Sequence, residues 1–327
     1  MKTNKPKTLQ EAIQYFTDPE NCIETVAALR WKNGPECPAC GHKEHYYLAK
    51  QRRWKCKECW KQFSVKVGTI FEDSAIPLDK WLVALWMLVN CKNGISSYEL
   101  AKDLGITQKS AWFVLQRLRV ALKENSFASK TKIGGPDTEV EVDETWIGGK
   151  SINMHKARRL RYQQGGGHHG KTVVMGILDR EQRTIRAKVV PNVKRSTLQA
   201  EVLSNVKYGT KVYTDSAPAY DLLHSRYIHD VVNHAEKYVE GRVSTNGLEN
   251  FWSLFKRNLA STYVSVEPFH LELYVDEQVF RYNNRGGKKK ENRVTDLDRF
   301  ELALSQISNK RLTFAEITGK AGQQATD

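Results

Sequence analysis

The sequence predicts a multidomain α+β chain: an N-terminal zinc ribbon, a helix-turn-helix region and a mixed α/β domain. Three observations lead there. Two Cys-x-x-Cys pairs stand near the N-terminus, two amphipathic segments joined by a short glycine turn follow, and beyond a Gly-Gly-Pro stretch strand-like runs give way to helical ones.

The cysteine pairs are Cys37-Pro38-Ala39-Cys40 and Cys56-Lys57-Glu58-Cys59, and fifteen residues separate Cys40 from Cys56. This spacing, C-x2-C-x15-C-x2-C, is that of a zinc site. Four thiolates close a tetrahedral Zn2+ shell when each pair sits on a tight turn, and Gly41 with Pro35 and Pro38 supplies the turn chemistry. Such a shell has no open position, so this metal is structural and the chemistry must lie elsewhere. Two disulfides are the alternative; the N-terminus MKTNKPKTLQEAIQYF lacks the apolar stretch of a signal peptide that would favour them. Cys22 and Cys91 sit in apolar surroundings and read as small buried hydrophobes.

Preceding the ribbon (31–66), residues 1–30 form a helical segment in which Leu9, Ala12, Ile13 and Phe16 keep helical spacing. Residues 77–125 form the helix-turn-helix region. Pro77-Leu78 opens a helix with Leu78, Trp81, Leu82, Leu85, Trp86 and Val89 in period, and Lys92-Asn93-Gly94 ends it. Ser96-Ser97-Tyr98-Glu99 resembles a capping box, and Gly105-Ile106-Thr107 turns into a last helix carrying Gln108, Lys109, Gln116, Arg117 and Arg119 on its polar side. That helix is the candidate for the DNA major groove, with Lys109, Arg117 and Arg119 as contacts; an ordinary helical hairpin is the alternative.

At 327 residues the chain has room for two or three cores, and 40% hydrophobic content is globular. The longest apolar run, Trp81–Val89, spans nine residues, against roughly 18 for a membrane-spanning helix, so no membrane association is expected and the reading is a soluble, cytoplasmic protein. The net charge of +14 is clustered in Lys50–Lys61, Lys156–Arg161, Lys256-Arg257 and Arg285–Arg293, interleaved in part with Trp54 and Trp60. Clustered cations beside aromatic rings suit a polyanion, because each neutralised phosphate releases condensed counterions. Double-stranded DNA is the leading partner; a merely solvated basic surface is the alternative.

After a linker near residues 125–137, strands are expected at Glu139–Asp143, Thr172–Leu178, Thr184–Val190 and Lys211–Thr214. Helices are expected at Ser196–Val206, at Ala217–Leu223 and from Asn246 onward. Gly165–Thr172 (GGGHHGKT) matches a nucleotide-binding loop letter for letter, but such a loop must open a helix, and from Thr172 the chain runs on as the strand-like TVVMGIL.

Three acidic residues close or follow apolar elements. Asp143 ends the first strand, Asp215 ends another, and Glu249 lies in the first turns of the last helical region. Carboxylates so placed can converge on a pair of divalent ions, leaving waters and phosphate oxygens to complete the shells, as Mg2+ prefers. Along the Asn246 helix, Leu248, Phe251, Trp252, Phe255 and Leu259 form an apolar stripe, and Glu249 and Lys256 lie two turns apart on another face. Glu141 and Glu144 compete with Asp143: the first would share its face of the strand, the second would point away.

These residues fall in segments that closely resemble the zinc-ribbon DDE transposases of bacterial insertion sequences: Val142–Lys150 (VDETWIGGK), Tyr213–Asp215 (YTD), Asn246–Arg257 (NGLENFWSLFKR), Tyr274–Glu277 (YVDE) and Phe280–Arg285 (FRYNNR). The resemblance covers nearly the whole chain, ribbon included. It implies an RNase H-like catalytic domain over residues 137–285, followed by a basic C-terminal tail at 286–327. It also implies strand cleavage at element ends dependent on Mg2+ or Mn2+, and transfer of the freed 3′-OH into target DNA. Asp143, Asp215 and Glu249 would be the catalytic, metal-holding residues, with Lys256 and Arg257 on DNA. Terminal inverted repeats and target duplex would be the partners of a homo-oligomer working at a bacterial nucleoid. The family often has His-x-Asn-x-x-Glu where this chain has Ser244, Asn246 and Glu249, so Asn246 stands as a further candidate ligand. A non-catalytic DNA-binding regulator and a nuclease of the same fold are the rival readings.

Overall fold

The computed structural model describes residues 5–123, 131–148, 156, 170–215, 218–220, 226–232, 244–286 and 294–319. The chain divides into two compact units, Met1–Lys123 with Asn284–Asp327, and Glu124–Asn283.

In the first unit, α1 (Leu9–Phe16) starts at Thr8, whose side chain accepts from the Glu11 amide, and α2 (Pro19–Arg30) is capped by Asp18 with proline in its first turn. A small antiparallel sheet comes next, β1 (His45–Leu48), β2 (Arg53–Cys56) and β3 (Gln62–Phe63), in that order. Trp54 of β2 stacks on Phe63 and meets Trp31 edge-on, giving the ribbon its small core. Helix α3 (Leu78–Asn90) is buried along the whole of Trp81–Val89, so it is a central helix wrapped by others rather than an amphipathic surface one.

Helix α4 (Ser97–Leu104) is capped by Ser96, which accepts from Glu99 N, and ends at Gly105 in the left-handed region (φ 58°). Thr107 then caps α5 (Gln108–Leu122) by accepting from Ser110 N. The helix, three-residue turn and helix expected here are therefore present.

Two expectations for this unit are corrected. Arg117 and Arg119, read as lying on the polar side of α5, are buried at 3% and 1% exposure. Arg117 donates to the carbonyls of Leu312 and Glu72, and Phe113 packs on Phe314, because a segment almost two hundred residues downstream covers this face. Likewise, the region expected as a basic tail at 286–327 contributes α9 (Asp296–Ser305). Its Thr295–Asp298 capping box opens a helix whose Phe300 packs against Trp86 and Phe16. A short α10 (Phe314–Ile317) lies beyond it. Most of the Arg285–Arg293 cluster lies outside the described residues.

The second unit is built on a five-stranded sheet in the order β6-β5-β4-β7-β8: β4 (Glu139–Ile147), β5 (Thr172–Asp179), β6 (Thr184–Val190), β7 (Lys211–Asp215) and β8 (Ile228–Val232). The β4-β5-β6 meander is antiparallel, whereas β7 runs parallel to β4 and β8 parallel to β7. This mixed sheet is in keeping with the RNase H-like domain that the resemblance implies.

Alternation along β4 divides the core in two. Val140 and Val142 face one cluster with Leu198, Val202 and Val206 on and after α6 (Arg195–Asn205). The opposite face of the sheet, through Val174, Leu178, Ile185 and Ala187, packs on Leu248, Phe251, Trp252 and Phe255 of α7 (Asn246–Asn258) and on α8 (Leu271–Asn283). Strand β4 continues to Ile147 rather than ending at Asp143, because Glu144–Ile147 keep pairing with Met175–Thr172 of β5. Among the described residues, the expected Ala217–Leu223 helix is a single 3-10 turn at Pro218–Tyr220.

Candidate active site

The four ribbon cysteines form one cluster. Their sulfurs all lie within 4.8 Å of one another, with Cys37–Cys59 and Cys40–Cys56 both at 3.6 Å. That is too far for a disulfide and close to the ~3.8 Å separation that ~2.3 Å Zn–S bonds impose on a tetrahedral shell. Gly41 (φ 74°) and Trp60 (φ 57°) make the left-handed turns after each knuckle, and the Gly41 amide bonds back to Cys37 O. Burial opposes the Cys37 thiolate, but hydrogen bonds from the Ala39 and Cys40 amides and from Cys59 and Cys40 outweigh it, leaving its pKa lowered to about 7. The donor set fits a structural zinc and holds no open position for chemistry. Cys22 is buried apart from it, its thiol pushed up to about 12 by burial, as a small core residue would be.

The three carboxylates belong to neighbouring elements. The parallel register pairs Glu141 with Tyr213 as its last pair, and Asp143 of β4 and Asp215, the last residue of β7, each lie two residues beyond it. On the other side of β4, Asp143 pairs with Gly176. A Cβ at Gly176 would lie 2.7 Å from the Trp252 ring, and its absence lets α7 settle onto the sheet. Trp252 Nε1 then donates to Asp143 Oδ2 at 3.0 Å, while Asp143 Oδ1 accepts from the Glu144 amide at 2.8 Å. Glu249 lies one turn before Trp252 on α7, and Thr245, the residue before that helix, donates its hydroxyl to Glu249 Oε1 at 3.3 Å.

Electrostatics ties the three together. Burial, then Asp215, raise the Asp143 pKa to about 6, with Glu249 adding to the rise and the Glu144 amide and Trp252 opposing it. This is repulsion between carboxylates in a partly dry site, and a divalent cation would relieve it. The hard oxygen donors, with Glu249 exposed, fit Mg2+ or Mn2+ and leave room for water and phosphate oxygens. The arrangement is open: among the described residues only the cysteines bring three or more such donor atoms within 4.8 Å of one another.

The competing acids have other surroundings. Glu141 shares the face of Asp143, as expected, but is committed to Arg180 at 2.7 Å and to the Leu248 amide at 2.9 Å. Glu144 points to the opposite face, beside a cavity of about 440 Å3 that Trp146, Arg195 and Asp215 also line. Its Oε1 is buried with no hydrogen-bond partner among the described residues, and burial, then Asp143 and Asp215, raise its pKa to about 8.

Of the expected DNA contacts, Lys109, Lys256 and Arg257 are exposed, and Arg117 and Arg119 are not. In the ribbon, Trp54 is core whereas Trp60 is exposed beneath Lys55 Nζ, 4.9 Å from its ring centroid. Residues Gly165–His169 of the glycine-rich loop lie outside the described residues, and Thr172 enters β5, so the run opens a strand and not a phosphate-binding helix. Two partners escaped the sequence reading: Trp252, taken only as part of the apolar stripe, and Arg180, which comes after β5 like any turn residue.

Comparison with known proteins agrees with this anatomy. Residues 133–283 match the ISXO2-like transposase domain, and residues 17–62 match the transposase zinc-ribbon domain. An uncharacterized protein in transposable element ISH50 of Halobacterium salinarum is 28% identical over 263 residues, which span 76% of this chain and 85% of that protein. An uncharacterized transposase-like protein of Haemophilus influenzae is 38% identical over 97 residues, 29% of this chain and 78% of that protein. With its cysteine cluster and its carboxylate-bearing mixed sheet, the chain belongs to the ISXO2-like, zinc-ribbon transposase family.

Proposed function

We propose that this protein is a DNA transposase that binds insertion-sequence ends, cleaves a strand there and joins the freed 3′-OH to target DNA. The observation that carries the reading is the gathering of three acids from β4, β7 and α7: Asp143 is tied to α7 by the Trp252 indole, Asp215 ends the neighbouring strand, and Asp215 and Glu249 lie near enough to add to the rise that burial causes in the Asp143 pKa. Asp143, Asp215 and Glu249 hold the divalent ions, with Asn246 as an accessory donor at the start of the same helix. Bound there, Mg2+ or Mn2+ supplies activation of the attacking oxygen and stabilisation of the leaving one in an in-line phosphoryl displacement.

The residues' own contributions come from their surroundings. Trp252 and the Glu144 amide fix the two Asp143 oxygens in orientation, and each oxygen keeps further acceptor capacity. Lys256, exposed two turns after Glu249, offers a cation to a neighbouring phosphate. In the first step water adds to the phosphorus at the element end and the 3′ oxygen leaves as a hydroxyl. In the second that hydroxyl adds to a target phosphorus and displaces a target 3′ oxygen, which leaves as a hydroxyl and so takes up one proton for the one the attacking hydroxyl loses. No covalent enzyme intermediate is needed.

The ends are read by the ribbon and by the first turn of α5, where Lys109 is exposed; Arg117 holds that helix in its own unit, and Arg119 is buried there. The active form is a homo-oligomer that brings two inverted repeats to one target duplex. The deciding experiment incubates purified protein with a labelled element-end duplex and a target plasmid, with and without Mg2+. Joined product supports the transposase; cutting without joining would make it a nuclease, and binding without nicks a regulator.

A further inference from the structure

Arg180, the residue after β5, is the hub of the second unit. Its Nε donates to Glu141 Oε1 at 2.7 Å, Nη1 to Glu139 Oε2 at 3.1 Å, and Nη2 to both Ser244 O at 2.5 Å and Ser244 Oγ at 2.9 Å. Its guanidinium carbon also lies 4.5 Å from the centroid of the Tyr213 ring. The partners are not scattered. Glu141 precedes Asp143 by two residues on the same face of β4, Tyr213 precedes Asp215 by two on β7, and Ser244 leads into the first turn of α7, which carries Glu249.

Glu141 completes the link. While Oε1 takes Arg180, Oε2 accepts the Leu248 amide at 2.9 Å, so a carboxylate on β4 caps the start of α7 from outside the helix. The approach is tight at this point: a Cβ at Gly247 would lie 2.3 Å from Leu178 and 2.9 Å from Glu141. One cation is thereby bound to each of the three elements that present a catalytic acid.

We propose that Arg180, acting through Glu141 and Ser244, is the positioning residue that sets the spacing of Asp143, Asp215 and Glu249 for the metal ions. This rests on the metal-holding reading of those three acids. Arg180 and Glu141 have side chains 19% and 4% exposed, and burying an ion pair gives little net stability. Its use is registry: a planar guanidinium with donors at fixed angles accepts its partners at one spacing only, which a flexible lysine does not enforce. Three acids that repel one another need such an external constraint until cations arrive.

The test is Mn2+ binding to the full-length, zinc-loaded protein, monitored by the electron spin resonance of the free aquo ion. Wild type is compared with Asp215→Asn, Arg180→Gln, Arg180→Lys and Ser244→Ala, with unfolding midpoints and end-DNA binding measured alongside. Wild type should bind Mn2+ and Asp215→Asn should lose that binding. Arg180→Gln and Arg180→Lys should weaken it by about 10- to 100-fold, as when an outer partner of a metal ligand is lost, and Ser244→Ala by less. End-DNA binding should stay near wild type in all of them. In cleavage assays excess metal should restore much of the Arg180→Lys rate, which loss of folded protein would not allow. If Arg180→Gln fails to fold, Arg180→Lys and Ser244→Ala decide. Wild-type Mn2+ affinity in folded Arg180 variants, beside a deficient Asp215→Asn, would overturn the positioning role alone. Absence of Asp215-dependent Mn2+ binding in wild type would overturn the metal site and this inference with it.

Discussion

Trp252 of α7 donates its indole N–H to Asp143 Oδ2 across the interface between helix and sheet, directly over Gly176. A side chain that counts as core by its spacing is also a partner of the principal acid. Its hydrogen bond favours the charged carboxylate, so it lowers a pKa that burial, Asp215 and Glu249 raise. Trp252→Phe keeps most of the packing and removes the donor. Cleavage should fall by about 10- to 100-fold, the scale of one hydrogen bond to a charged group. The acidic limb of the pH–rate profile should also move to higher pH. An unmoved limb would show that the indole only packs.

Glu144 supplies a pH signature of its own. Its folded pKa of about 8 stands above the ordinary 4.5, so the folded state holds the proton more tightly than the unfolded chain. Its contribution to stability is therefore full below about pH 4.5 and is lost as the pH rises through about 8. Glu144→Gln cannot ionise. Without divalent ions, its unfolding midpoint relative to wild type should climb between pH 5 and pH 9, by about 5 °C or more. A difference independent of pH would place the Glu144 carboxyl in water.

The positions of the acids proposed to hold metal were legible because they sit at element ends or on an exposed helix face, where local pattern reports them. Asp215 at the end of β7 and Glu249 in the first turn of α7 are of this kind. The features that escaped were those that depend on distant chain. Arg117 and Arg119 fall on the polar side of α5 by helical period, but period cannot tell that residues near Leu312 return to cover that side. Arg180 looks like a turn cation until Glu141, Tyr213 and Ser244 are folded around it.

The two kinds of α5 cation should separate on substitution. Arg117→Ala strands the carbonyls of Leu312 and Glu72 and should cost about 2–4 kcal/mol of stability. The fraction that remains folded should bind end DNA within a factor of two of wild type. Lys109→Ala should leave the unfolding midpoint alone, weaken DNA binding a few-fold and reduce its salt dependence by about one phosphate contact. Reversed behaviour would restore Arg117 to the DNA face.

Elemental analysis should find one zinc per chain, and Cys56→Ser should release it. Because the ribbon's own core is little more than Trp31, Trp54 and Phe63, metal loss should open residues 31–66 to proteolysis while the five-stranded sheet keeps its amide protection. Zinc-free protein with a protected ribbon would rule out a structural metal.

In the proposed function, Asp143 and Asp215 hold the ions that act on the scissile phosphate. The most direct measurement is the rate of end cleavage at saturating Mg2+ for Asp215→Asn, in one preparation series with wild type and Glu144→Gln, each first shown to bind end DNA. Asp215→Asn keeps the size of the side chain and removes its charge, and should lose about 10³-fold or more while binding DNA normally. Glu144→Gln, whose carboxyl lies on the opposite face of β4, should lose far less. Near-wild-type cleavage by Asp215→Asn, or an inactive Glu144→Gln beside an active Asp215→Asn, would contradict the assignment.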